Sequence, residues 1–339
     1  MLKQFILIVA ILFIYQDAQS QFKISGIVKD DKNEILPFVS IYEKGTTNNT
    51  ISNEKGYFVF DVGGGNRTIV FQYLGYKTVY KELNVKQDVE IEVSLLPEDL
   101  NINEVVIQAG EDPSYPIIRS AIKNREINKF GKQEFESELY TKALMKIKDA
   151  PKTLFGMDLG NMDGILDSNR NGILYLSESI SEVNFSPPKQ YKEVLLSSKV
   201  SGESNGISVN QFSYANFNFY NENISLFRNL ISPISDEAFS YYNFYLYEKF
   251  VDNNGSTVNK IKVKPKSNFR PCFSGFIYIN DDLWNINSLE LSIDGDAIKN
   301  PIMDSIIIKQ VFIPVKESKQ WYLINQNVYF KANIFGIKA

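Results

Sequence analysis

The chain has 339 residues, 44% hydrophobic and 13% aromatic, with 36 Lys and Arg against 40 Asp and Glu. A net charge of −4 without a long basic run argues against nucleic acid as a partner, because phosphate binding needs clustered cations that displace counterions. With no histidine and a single cysteine, Ser-His-Asp triads, Cys-His dyads, His-ligated catalytic zinc and intrachain disulfides are outside its chemistry.

The length exceeds what one hydrophobic core organises and implies two domains. Residues 1–20 read as a secretory signal peptide. Lys3 supplies the positive start, Phe5–Tyr15 is an apolar run too short to span a bilayer, and Ala18-Gln19-Ser20 offers small residues for cleavage before Gln21. No Cys follows the run, so a lipoprotein anchor is not expected, and no later stretch reaches the length of a membrane helix.

From Phe22 onward the pattern is strand-length. Lys23–Lys29 alternates around Ile24 and Val28, and Asp30-Asp31-Lys32-Asn33 is a polar turn. Pro37 leads into Phe38–Tyr42, and Ser52–Gly56 turns with Gly56 at positive φ. Tyr57–Val62 alternates Tyr-Val-Asp outward with Phe-Phe-Val inward. Gly63-Gly64-Gly65 turns again before Thr68–Tyr73, Tyr76–Leu83 and Val89–Leu95. About seven short strands at this spacing predict a transthyretin or immunoglobulin-like β-sandwich over residues 21–97.

The motifs Ile24–Val28, Leu36-Pro37-Phe38-Val39-Ser40-Ile41, Gly45-Thr46, Thr50, Asn53–Phe58 and Tyr73-Leu74-Gly75-Tyr76-Lys77-Thr78 resemble the carboxypeptidase-regulatory-like domain. That module accompanies outer-membrane proteins, including SusC-type TonB-dependent transporters. The resemblance implies a non-catalytic module, and the metallocarboxypeptidase ligands, two of them His, are missing.

Residues 98–130 read as linker and helix: Pro97–Asn103, the apolar Glu104–Ile107, then a helix from Asp112-Pro113 to about Asn128. Asp112 is its N-cap, and Ile118, Ala121 and Ile122 form its buried stripe. Residues 131–339 read as an antiparallel β domain. Its strands are Phe135–Ile147, Ile173–Val183, Tyr191–Val200, Ser240–Val251, Thr257–Val263, Phe276–Asn280, Leu283–Ile293, Ile306–Val315 and Trp321–Lys331. The fold class is mainly β: sandwich, short helix, then a large curved, half-barrel-like antiparallel sheet, by analogy with LolA-type carriers. Glu111–Tyr115, Tyr175–Ser179, Ser198–Gly202, Ser232–Ile234, Tyr241–Phe244 and Phe273–Ile279 are similar to an uncharacterised outer-membrane family. That family pairs this region with the regulatory-like module and usually continues into a membrane barrel. Here the chain stops at Ala339 without the barrel segment, so a truncated C-terminus is an expectation.

Asp167-Ser168-Asn169-Arg170-Asn171-Gly172, with Glu178 six residues on, fits the EF-hand expression and would offer Asp167, Asn169, Asn171 and Glu178 to calcium. Only two of these are carboxylates, and strand-like Ile173–Val183 stands where an exiting helix belongs, which favours a hairpin loop. Ser-x-x-Lys needs no histidine and occurs at Ser20/Lys23, Ser52/Lys55, Ser120/Lys123 and Ser186/Lys189; only Ser120/Lys123 lies on a helix. Cys272, between Pro271 and Phe273, reads as a buried small hydrophobe. Forty acids offer many carboxylate pairs for glycoside chemistry, and sequence does not select among them. The aromatics Phe212, Tyr214, Phe217, Phe219, Tyr220, Tyr241, Tyr242, Phe244, Tyr245 and Tyr247 suit either core or a ligand groove.

No catalytic, cofactor-binding or metal-binding residue is assigned, and no cofactor is implied. The reading is a non-catalytic envelope protein in the periplasm or outer membrane of a Gram-negative bacterium. It would form the periplasmic portion of an outer-membrane assembly, binding a protein partner or an apolar ligand. The alternatives are a lipid or lipoprotein carrier using a concave sheet, and a His-free hydrolase.

Overall fold

A computed structural model describes residues 21–73, 75–97, 110–129, 134–154, 157–158, 160–162, 164–186, 190–201, 217–251, 256–267, 270–300, 303–314, 321–334 and 337–338. The expected leader, the segment Glu104–Ile107 and most of the linker lie outside these residues. The chain is mainly β and divides into two compact units, residues 1–101 with 313–319, and residues 102–312 with 320–339.

The first unit contains β1 (Gln21–Asp30), β2 (Ser40–Glu43), β3 (Asn49–Ile51), β4 (Tyr57–Gly63), β5 (Gly65–Gln72), β6 (Val79–Val85) and β7 (Val89–Leu95). They form two sheets, β4-β1-β7 and β3-β2-β5-β6, closed on one core that includes Ile24, Val28, Phe58, Phe60, Val62, Phe71 and Val93. The period-2 pattern of β4 is realised, with Phe58, Phe60 and Val62 buried and Tyr57, Val59 and Asp61 exposed. Each ring so removed from water stabilises the fold by roughly 2 kcal/mol. Asn53 Oδ1 accepts from the N–H groups of Lys55 (2.8 Å) and Tyr57 (3.1 Å), which closes the turn with Gly56 at φ 69°. β1 and β7 pair in parallel. A Cβ on Gly26 would stand 1.7 Å from the Ile91 carbonyl oxygen, so only glycine allows this approach.

The second unit opens with α1 (Ser114–Asn128). Next come β8 (Phe135–Ile147), the short β9 (Thr153–Leu154) and β10 (Met157–Asp158), β11 (Gly172–Ser186) and β12 (Gln190–Ser201). Further on lie β13 (Asn223–Leu226), β14 (Arg228–Ile231), a single turn α2 (Ala238–Tyr241), β15 (Tyr242–Val251), β16 (Thr257–Pro265), β17 (Ser274–Asn280) and β18 (Ile286–Asp294). The turn α3 (Gly295–Ile298) precedes β19 (Met303–Pro314), β20 (Trp321–Ile334) and β21 (Ile337–Lys338).

All nine expected strands of this half are present, and they divide between two ladders. Six long strands with the two-residue β21 form a large sheet in sequence order, β15 to β21. The other three form a separate sheet, β12-β11-β8. One face of the large sheet carries Ile261, Val263, Ile277, Leu289, Leu291, Ile306 and Ile308 into a core shared with Ile117, Ile118 and Ala121 of α1. At the start of α1, Asp112 Oδ1 accepts from the N–H groups of Ser114 (2.9 Å) and Leu246 (3.0 Å). Leu246 borders a bulge in β15, so one carboxylate caps the helix and ties it to the irregular edge strand.

Candidate functional site

Asp167, Asn171 and Cys272, which sequence reasoning singled out, are engaged in structural contacts. Asp167 Oδ1 accepts from the N–H groups of Asn169 (2.9 Å) and Asn171 (2.8 Å), and Asn171 Oδ1 accepts from the N–H of Asp149 (3.1 Å). Arg170, at φ 60°, donates to the carbonyls of Ala150 (2.5 Å), Pro151 (2.6 Å) and Gly160 (2.9 Å). Glu178 lies along extended β11, about 20 Å of strand beyond Gly172 at 3.3 Å per residue, and pairs with Lys142 at 3.3 Å. The four proposed calcium ligands are therefore not brought together.

Ser120 and Lys123 share α1, yet no hydrogen bond joins them among the described residues, and Lys123 is exposed. A lysine acting as base needs a desolvated amine. Cys272 is buried, and that burial raises its thiol pKa. Beside it the Tyr242 hydroxyl donates to the Ile231 carbonyl (2.5 Å) and accepts from the Phe273 N–H (3.0 Å). Phe217, Phe219, Tyr220, Tyr242 and Phe244 are buried in the main core, Tyr245 is exposed, and Phe212 and Tyr214 lie outside the described residues.

A cluster that the sequence reading missed lies on the opposite face of the large sheet. Residues 260–266 read Lys-Ile-Lys-Val-Lys-Pro-Lys. Because β16 alternates, Ile261 and Val263 enter the core while Lys260, Lys262 and Lys264 project from the other face. Lys262 and Lys264 are exposed, whereas Lys260 is only 5% exposed. Its ammonium stands 5.3 Å from the ring centroids of Tyr247 and Phe276 and 5.5 Å from that of Tyr278, an aromatic enclosure that compensates for lost water. Tyr245 and Phe276 lie directly across from Lys262 on its two neighbouring strands. Glu248 lies across from Lys260, and Glu290 pairs with Lys309 at 3.1 Å. Among the described residues neither Lys262 nor Lys264 has a carboxylate within ion-pair distance. Just past the strand, the Lys266 ammonium donates to the Phe239 carbonyl (2.6 Å). The arrangement sets two exposed ammoniums beside aromatic rings on one sheet face. The signal available in sequence was lysine at every second position of a strand, which a search for contiguous basic runs passes over.

The chain belongs to the family of unknown function DUF5686, whose profile matches residues 117–339. The CarboxypepD_reg-like domain profile matches residues 24–107, in agreement with the resemblance read from the turns and core positions. A curated relative, TonB-dependent receptor P39 of Formosa agariphila, is 27% identical over 95 residues, which is 28% of this chain and 9% of the receptor. The match thus spans less than a tenth of that protein's length. Among solved structures, a DUF3823 family protein from Bacteroides ovatus aligns over 52% of this chain and 100% of its own, at 9% identity and a TM-score of 0.21. Another from Parabacteroides merdae aligns over 72% and 91%, at 10% identity and a TM-score of 0.19. At such scores neither carries an argument about this chain. Among the described residues, no helix is long and apolar enough to cross a membrane.

Proposed function

We propose that this is an exported, non-catalytic protein of the Gram-negative cell envelope, the periplasmic portion of an outer-membrane assembly, in which the sandwich binds a protein partner. On this reading residues 1–20 are the leader, 21–97 the interaction module, 98–130 the connector and 131–339 the β domain. The observation that carries it is the succession of a regulatory-like module and a DUF5686 region in one chain. The similarity to a protein named as a TonB-dependent receptor supports the envelope setting. The engagement of Asp167 and Cys272 in structural contacts, and the lack of a Ser120–Lys123 contact, support a binding role over hydrolysis.

The test is expression of the whole chain in a Gram-negative host, with fractionation, N-terminal sequencing and native mass spectrometry. The expected result is an envelope protein beginning at Gln21 and inert toward ester, glycoside and peptide substrates. Turnover abolished by Ser120→Ala or Lys123→Ala would replace this reading with the hydrolase one. A stoichiometric lipid retained in native spectra and lost on stripping would replace it with the carrier one.

A further inference from the structure

We propose that the lysine face of β16 is a docking surface for the negatively charged headgroup plane of a lipid bilayer. The inference rests on the envelope placement above and adds the surface and its ligand. In a chain whose net charge is −4, Lys260, Lys262, Lys264 and Lys309 outnumber Glu248 and Glu290 on this face, so it carries the opposite sign. Alternation sets Lys260, Lys262 and Lys264 in line, about 6.7 Å apart along the strand and about 13 Å end to end. Two exposed ammoniums side by side on one strand, with an exposed ring across from the first, match a plane of charge better than a single enclosed anion. A lysine stem is apolar and long enough to cover its neighbours while its charge stays in water. Tyr245, 42% exposed and directly across from Lys262, is the kind of amphipathic ring that sits at headgroup level. Lys260, held by its three rings, fixes the strand's outer face and adds positive potential beneath the exposed pair. Each exposed lysine held near an anionic bilayer surface is attracted to it.

The measurement is flotation of the whole chain with vesicles of phosphatidylcholine alone, or of phosphatidylcholine mixed with phosphatidylglycerol, at low and high salt. Binding is expected only to the phosphatidylglycerol vesicles and is expected to fall with salt, since exposed charges are screened within a Debye length. Each lysine near such a surface accounts for about a five-fold change in partition, so Lys262→Glu with Lys264→Glu should weaken it by about 25-fold or more. Lys55→Glu with Lys81→Glu, on exposed positions of the sandwich, makes the same net-charge change and should leave binding intact. If the double reversal unfolds the protein, Lys262→Gln with Lys264→Gln keeps the question open to measurement, with a smaller loss expected. Equal binding to both vesicle types, or binding indifferent to these lysines, overturns the proposal. So does capture by soluble polyglutamate with none by vesicles, which would assign the face to an acidic protein partner. Recovery of the wild-type chain from the cytoplasm would instead defeat the envelope reading and leave the vesicle result standing.

Discussion

Arg125 brings its guanidinium to 8% side-chain exposure on α1, where it meets Glu222, Asp236 Oδ1 (3.2 Å) and the Ile234 carbonyl (3.3 Å). Glu222 also accepts from the Asp236 N–H (3.0 Å), so the pair staples the helix to the segment before β15. Removing Arg125 leaves Glu222 without its cation. Because Glu222 is 46% exposed, the expected loss for Arg125→Ala is about 2 kcal/mol, below the 3–5 of a fully enclosed pair. The hydrogen bond from Arg125 holds the Glu222 carboxyl below its usual value of 4.5. Its folded pKa being depressed, this stabilisation is complete above about pH 4.5 and is lost as pH falls through the folded value. Wild type and Arg125→Ala should therefore converge in thermal stability on acidification below that point, and melting curves across pH check it. Cys272 offers a second test. Buried, with its thiol pushed up by burial, it should react with a thiol reagent only at the rate of unfolding. Native-state labelling faster than unfolding, measured against urea, would contradict its placement.

At the scale of elements, α1 depends on one carboxylate for both its beginning and its seat on the sheet edge. Asp112→Ala removes acceptors from two N–H groups and should cost about 1–2 kcal/mol, while Asp112→Asn, which retains an acceptor, should recover most of it. Chemical denaturation of the three proteins measures this. The helix and its cap were legible because Asp-Pro before an apolar periodicity is a local signal. Arg125 was not. It continues the buried positions Ser114, Ile118 and Ala121, but its residue type argues for solvent until Glu222 and Asp236 are known to face it. The calcium expression at Asp167 misled for the matching reason: a spacing rule assumes a loop followed by a helix, and here a strand carries Glu178 away.

At the scale of the molecule, the sandwich and the large sheet have separate hydrophobic cores, one built on Phe58, Phe60 and Phe71, the other on Tyr242, Phe244 and Phe273. A substitution that breaks one core should be read in that core first. Gly26→Ala drives a methyl into the Ile91 carbonyl oxygen and should abolish the β1–β7 pairing at a cost of about 3 kcal/mol or more. Hydrogen exchange should then show protection lost across β1 and β7 and retained across β16 to β18. Simultaneous loss in both would show that the two cores fold as one unit.

By itself the sequence determined the longer strands, the inward and outward residues of β4, the helix α1 and the regulatory-like module, because each is written in local periodicity and turn chemistry, whereas the short β3, β9, β10, β13, β14 and β21 carry too few residues for a period to show. The tertiary structure alone decided which strands share a sheet. β8, β11 and β12 pair apart from β15 to β21, and β1 finds β7 in parallel across more than sixty residues of chain. It also decided that Lys260 is enclosed by rings from β15 and β17 while Lys262 and Lys264 stay in water. Pairing and enclosure are contacts between distant residues, and a period-2 pattern specifies the face a side chain takes without specifying the neighbour it meets there.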